Sequence, residues 1–240
     1  GYDCKIQIMT AVNLKTLLNK ANRNNYAIAG LVVITWEDAL AYAEAADETG
    51  IPVILQAGPS CRAFTPISIL GKMFRYLAEQ TKTPICCHLD HGFSYMECKE
   101  GIENGFTSVM YDGSKKPLKE NINTSYKISN LAHKHNISVE GEIGEVGYFK
   151  GQNSKGTDVN EAKEYASKSK VDAMAISVGN THLQTSKIII DNLGSNIGLS
   201  AMSISDMTNI PRPTVVRKCK NLLKNDLVKI NDKKQYELSS

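Results

Sequence analysis

No apolar run in this 240-residue chain is long enough to cross a bilayer, and its start shows no basic segment followed by an apolar core. Both absences set the expectation of a cytoplasmic protein with no membrane partner. The six cysteines (Cys4, Cys61, Cys86, Cys87, Cys98 and Cys219) show neither paired metal-ligand spacing nor the framework of a small disulfide scaffold. Adjacent Cys86 and Cys87 sit in a strand-like run and so point to opposite faces, which favours reduced thiols over a disulfide. Charge of one sign is also missing: 28 basic against 25 acidic side chains give a net +3, so any strongly basic surface has to be local. Of the five histidines, none follows His182. Metal chemistry that depends on imidazole must therefore be assembled from the first three quarters of the chain.

What the chain does have is a regular alternation of helix-period and strand-like segments. The amphipathic stretch 12–22 precedes an apolar run at 26–34, and the alanine-rich stretch 36–49 reads as a helix ending at Gly50. Further apolar runs fall at 52–57, 84–89, 107–111, 138–143 and 173–178, with helical stretches at 66–80, 95–104, 122–135 and 160–168 between them. This order predicts βαβ units around a parallel sheet, about six of them where a closed barrel needs eight. The expected fold class is α/β, a (β/α) TIM-barrel type truncated after about six strand-helix units and followed by a small C-terminal domain. The expected divisions are a tail over 1–11, the barrel-like portion over 12–185 and the C-terminal domain over 186–240.

Polar residues cluster where the apolar runs end, which is where parallel sheets carry their chemistry. Asp90 and His91 follow the run Pro84 to Leu89, Asp112 follows Tyr111, Glu140 and Glu142 share one face of the fifth run, and His182 closes the sixth. Neutral imidazoles suit zinc, and a catalytic zinc commonly has three protein ligands. Two histidines are placed for that role, with His88, His133, His135, a thiolate, water or a residue from another chain as candidates for the third.

Four segments carry a resemblance. They are Cys87 to Gly92, Gly105 to Ser114 with Glu120 to Ile122, Val139 to Gly144, and Asp172 to His182. Together, over about 13–184, they resemble the class II, zinc-dependent ketose-bisphosphate aldolases. The resemblance implies a lyase of carbohydrate metabolism, of the glycolytic kind, that reversibly cleaves a phosphorylated ketose and yields a triose phosphate. It implies His91 and His182 as zinc ligands, Asp90 as the proton-transferring group, Asp112 and Glu142 as a neighbouring metal site, and a homo-oligomer. After His182 the family continues with a third zinc histidine and glycine-rich phosphate loops, and none of these is found from Leu183 to Ser240. Residues 147–152 also lack the acidic groups many members carry there.

The last quarter reads differently. Ser203 to Leu223 has the pattern of two short helices, with Pro213 in the first turn of the second, and strand signals follow at 227–230 and 235–238 with 231–234 as a hairpin tip. The order resembles a winged helix-turn-helix, and an excess of basic over acidic residues there fits phosphate contacts. DNA is thus an alternative partner, through Thr214, Arg217 and Lys218 in the groove and Lys233 and Lys234 on the wing, for a regulator built on an aldolase-derived domain.

Overall fold

The computed structural model describes residues 10–144, 147–148, 156–177, 181–182, 228–230 and 236–238. In chain order the elements are α1 (Leu14–Arg23), β1 (Ala29–Val32), α2 (Trp36–Thr49), β2 (Val53–Ala57), α3 (Pro59–Arg62), α4 (Ile67–Gln80), β3 (Ile85–Gly92), α5 (Tyr95–Glu103), β4 (Ser108–Tyr111), α6 (Leu118–Ala132), β5 (Ser138–Ile143), β6 (Gly147–Tyr148), α7 (Val159–Ser169), β7 (Ala173–Ile176), β8 (Thr181–His182), β9 (Val228–Ile230) and β10 (Tyr236–Leu238). Six strands form one sheet in the order β1-β2-β3-β4-β5-β7, every pair parallel. This is the predicted half-barrel, with β1 and β7 as its edges.

The strand residues that face the outer helices are apolar, because the helices cover that side of the sheet. Alternate residues Val53, Leu55, Ile85, Cys87, Leu89, Val109 and Val139 face the outer helices, where they meet Ala39 and Ala43 of α2, Leu70 and Phe74 of α4, Cys98 of α5 and Ile128 of α6. The intervening residues Ile54 and Cys86 form a separate cluster with Leu14 and Leu17, so α1 seals the inner face near the N-terminal ends of the strands. At that same end Asp172 accepts from Lys15 Nζ (3.0 Å), His133 Nε2 (2.8 Å) and the Val139 N–H (2.9 Å), fastening α1 and the end of α6 to the sheet. His133 is therefore a structural partner far along the strands from the polar ends. Cys61, Cys86, Cys87 and Cys98 are buried free thiols, as expected.

Two boundaries differ from the sequence reading. Helix α6 begins at Leu118 rather than near 122, because Pro117, which cannot donate, occupies its N-cap, and the first turn, Leu118 to Asn121, is polar apart from Leu118 and shows little apolar period. Helix α3 was not expected at all; its four residues are too few for a period to register. Beyond the six-stranded sheet, β6 and β8 form a two-stranded ladder. Backbone proximity divides the chain into units Gly1–Thr181 and His182–Ser240. Within the second, β9 and β10 pair antiparallel with Tyr236 opposite Ile230, the hairpin expected there, while the two expected helices lie outside the described residues. No helix among the described residues is long and apolar enough to cross a membrane.

Gly141 shows how closely α7 covers β5. A Cβ there would overlap the Tyr165 hydroxyl and lie 2.9 and 3.0 Å from its ring carbons. Tyr165 is fully buried and its hydroxyl is 2.7 Å from Ser125 Oγ on α6. Gly141→Ala is expected to cost about 1–3 kcal/mol by overpacking, and Tyr165→Phe about 1 kcal/mol by loss of one buried hydrogen bond. Because the phenylalanine removes the overlapping oxygen, the double variant should lose less than the two single losses together, measured by urea unfolding; strict additivity would show that the ring does not press on position 141.

Candidate metal centre

The site is built on an irregularity in β3. Leu89 pairs with Val109, but the next partners are Gly92 and Tyr111, so three steps along β3 match two along β4. This is a bulge, and its extra residue falls at Asp90–His91. Strict alternation would send adjacent side chains to opposite faces. Here His91 instead adopts a left-handed backbone, φ +50°, a conformation that costs a residue with a Cβ about 1–2 kcal/mol. Gly92 completes the feature, since a Cβ there would stand 2.8 Å from the Met110 carbonyl and 2.9 Å from Cys98 Sγ. A side chain would push β3 off β4.

With its backbone turned in this way, His91 presents Nδ1 to two carboxylates. Asp112 Oδ2, just past the end of β4, lies 3.0 Å away, and Glu142 Oε2, on β5, lies 3.5 Å away. Asp112 is fixed by Ser114, whose backbone N–H and hydroxyl both donate to Oδ1, at 3.1 and 2.6 Å. The Glu142 backbone is fixed by Asn121 of α6, which donates to its carbonyl at 2.8 Å. Glu142 Oε2 itself is buried and makes no hydrogen bond.

Two carboxylates and an imidazole so close together require a positive charge. Hydrogen bonding to Asp112, aided by the neighbouring acids and opposed by burial, raises the His91 pKa to about 9. Burial, with the charge of Asp112, raises that of Glu142 to about 7. Burial also opposes ionisation of Asp112, but the bonds to His91 and Ser114 outweigh it and hold that carboxyl below its ordinary value. A proton on His91 thus fills the place a cation would take. The residues fit a metal ion. Two ligands about 2.1 Å from a tetrahedral ion stand about 3.4 Å apart, close to the 3.0 and 3.5 Å found here, and the bare Glu142 oxygen supplies a ready ligand. Among the described residues this is the one set of three metal-binding side chains whose ligand atoms all lie within 4.8 Å of one another.

Asp90 stands beside this cluster, half-buried, with Gln56 Nε2 at 3.5 Å from Oδ1. His88, one of the candidate third ligands, turns elsewhere on the inner face: its Nδ1 is 2.9 Å from Ser108 Oγ and its Nε2 is 3.4 Å from Glu140 Oε2. It is fully buried and does not join the cluster. His133 pairs with Asp172 and His135 is exposed on the turn that follows α6, so neither reaches the site. Residue His182 belongs to β8, and its side chain lies outside the described residues, as do Thr214, Arg217, Lys218, Lys233 and Lys234.

Sequence reasoning missed Arg62. Its guanidinium reaches from α3 to the ends of two strands, with Nη1 donating to the carbonyls of Ala57 (2.7 Å) and Asp90 and Nη2 to that of His91 (2.7 Å). The one available signal was a Gly58-Pro59 turn directly after a strand, which places Arg62 at the functional end of the sheet.

Comparison with known proteins agrees with this geometry. The family model for class II fructose-bisphosphate aldolase matches residues 12–198. The class 2 fructose-bisphosphate aldolase of Synechocystis sp. is 35% identical over 198 residues, covering 72% of this chain and 55% of that protein. The fructose-bisphosphate aldolase of Mycoplasma genitalium is 36% identical over 225 residues, covering 91% of this chain and 75% of its own length. The unmatched 9% here is about 22 residues, fewer than lie in 186–240, so that match extends into the last quarter. The crystal structure of the YdjI aldolase from Escherichia coli K12 superposes with a TM-score of 0.62 at 28% identity, over 71% of this chain and 62% of that one. This chain therefore spans little more than half the length of the Synechocystis relative. With four motifs, a parallel half-barrel and the family match in register, the chain belongs to the class II fructose-bisphosphate aldolase family.

Proposed function

We propose that this chain is a zinc-dependent lyase that reversibly cleaves a phosphorylated ketose of the fructose-bisphosphate type, releasing a triose phosphate. The observation that carries the reading is the His91–Asp112–Glu142 cluster at the C-terminal ends of three consecutive strands, with an unbonded buried oxygen turned into it. Imidazole and carboxylate ligands suit zinc, and His182 is the further ligand that the family motif suggests. Zinc, when bound, supplies Lewis-acid polarisation of the ketose carbonyl. Asp90 is the group to which the family motif assigns the proton of the alcohol that becomes the aldehyde, taken in cleavage and returned in the reverse direction. It shares the bulge with His91, so one backbone feature sets both positions. Before an ion binds, Asp112 and Glu142 hold the His91 ring through its Nδ1 at 3.0 and 3.5 Å, so the three ligand atoms already converge. A homo-oligomer is part of this reading: the β1 residues are largely exposed, and open sheet edges of this kind favour association.

The purified protein is expected to bind stoichiometric zinc, and His91→Ala to abolish that binding. Below pH 9 His91 carries a proton that zinc must displace, and below pH 7 Glu142 carries another. Zinc affinity, followed by chelator competition, should therefore rise about tenfold per pH unit between about 7 and 9 and more steeply below 7; a flat profile would remove these two side chains from the ligand set. Asp90→Ala should keep zinc and lose ketose bisphosphate cleavage by about 10²–10⁴-fold. Zinc binding without any cleavage by the unaltered chain would leave the metal site standing and end the lyase reading.

For the last quarter, a winged helix-turn-helix that binds DNA is a second reading, of whose expected elements only the β9–β10 hairpin lies among the described residues. Under that reading, binding to duplex DNA weakens with salt and is reduced in Arg217→Ala/Lys218→Ala. DNA binding unchanged in the double variant would remove the recognition-helix assignment.

A further inference from the structure

The bulge in β3 leaves two problems that its own residues cannot solve. His91 sits in a backbone region that a residue with a Cβ avoids, and Asp90 and His91 fall in the register shift, past the last β2 partner of β3, where their carbonyls need partners outside the ladder. Arg62 meets both. Its planar fork donates to the carbonyls of Asp90 and His91, the two bulge residues, and to that of Ala57 at the end of β2. The bulge is thereby fastened to the neighbouring strand through one rigid group. Arg62 has no role as a ligand, since a guanidinium stays protonated and offers no lone pair to a metal. Nor does a fixed cation beside the site favour binding of a second cation. Its contribution is geometric.

We propose that Arg62 is a positioning residue of the metal centre, holding the Asp90–His91 bulge in the conformation that aims His91 Nδ1 at Asp112 and Glu142. The inference rests on the metal-site reading above and adds to it a residue that never touches the metal. Lysine can keep the charge but cannot reproduce three hydrogen bonds from one plane. The fold delivers the clamp: α3 is one turn long and starts at Pro59 just after β2, and its last residue reaches back to the Ala57 carbonyl at the end of that strand.

The test is zinc affinity by chelator competition for the unaltered protein, Arg62→Ala and Arg62→Lys, each at fixed pH. Arg62→Ala should bind zinc about 10–100-fold more weakly, the range found when a residue supporting a metal ligand is lost, and Arg62→Lys should fall between. Millimolar guanidinium ion, far below denaturing concentration, should restore part of the affinity of Arg62→Ala and leave that of the unaltered protein unchanged. A loss of packing alone would not respond to the added ion. If Arg62→Ala does not fold, Arg62→Lys decides: unaltered zinc affinity in it overturns the proposal. Absence of zinc from the unaltered protein would instead overturn the metal-site reading, and this inference with it. Stoichiometric zinc in all three with equal affinity would overturn the Arg62 role alone.

Discussion

One extra residue in β3 sets the geometry of the candidate metal centre. In a regular strand Asp90 and His91 would face opposite sides of the sheet, one toward the inner face and the other into the helices. The bulge between Leu89 and Gly92 removes that alternation, and the left-handed backbone of His91 brings its imidazole against the carboxylates of β4 and β5. The cost of the conformation is met locally. Arg62 donates to the carbonyls of Asp90 and His91, Gly92 allows β3 to close again on β4, and the ring finds two acceptors. Proteins tolerate such strain where the surroundings over-determine it, and sites of chemistry are where it recurs.

The inner face of the sheet then reads as a gradient. Near the N-terminal ends of the strands it is apolar, with Ile54 and Cys86 under α1. In the middle it becomes polar, with His88 Nδ1 2.9 Å from Ser108 Oγ and its Nε2 facing Glu140 Oε2 at 3.4 Å. At the C-terminal ends it becomes acidic, and there the acids outnumber the positive groups that could neutralise them. Burial raises the pKa of Glu140 and of Glu142, and His91 answers by holding its own proton more tightly. Such a cluster is costly without a cation and favourable with one, because the ligands are desolvated and fixed before any ion arrives.

How much of this was legible in the residues follows from their physics. The strands and most helices were, because burial on both sides writes long apolar runs and helix faces write a 3.6-residue period; α2 and β5 fall where those patterns put them. Asp90, His91, Asp112 and Glu142 were also legible, as polar residues at the ends of buried strands. The bulge was not. Nothing in Leu89-Asp90-His91-Gly92 distinguishes a strand with an inserted residue from a regular one, since the register is decided by the partner strand. Arg62 was hidden for the same reason, its role depending on carbonyls 28 and 29 residues away along the chain. His88 misled in the opposite direction: it is the right residue type at a strand end, but even-numbered alternation in β3 places it lower on the face, where Ser108 and Glu140 engage it.

The position of the cluster within the sheet bears on what the rest of the chain must supply. Its three side chains come from the ends of β3, β4 and β5, which are consecutive and lie away from both edges. Each of these strands is covered by a helix of its own on the outer face and braced by a strand on either side. Among the described residues, the contacts that set the geometry of His91, Asp112 and Glu142 lie inside residues 53–176. An ion held by the three would tie the strand ends together, and binding to the folded state alone adds to its stability by mass action. The open edges at β1 and β7 weaken the sheet from outside, while the metal centre would strengthen it at its middle. Ligand set and fold therefore depend on the same three strands.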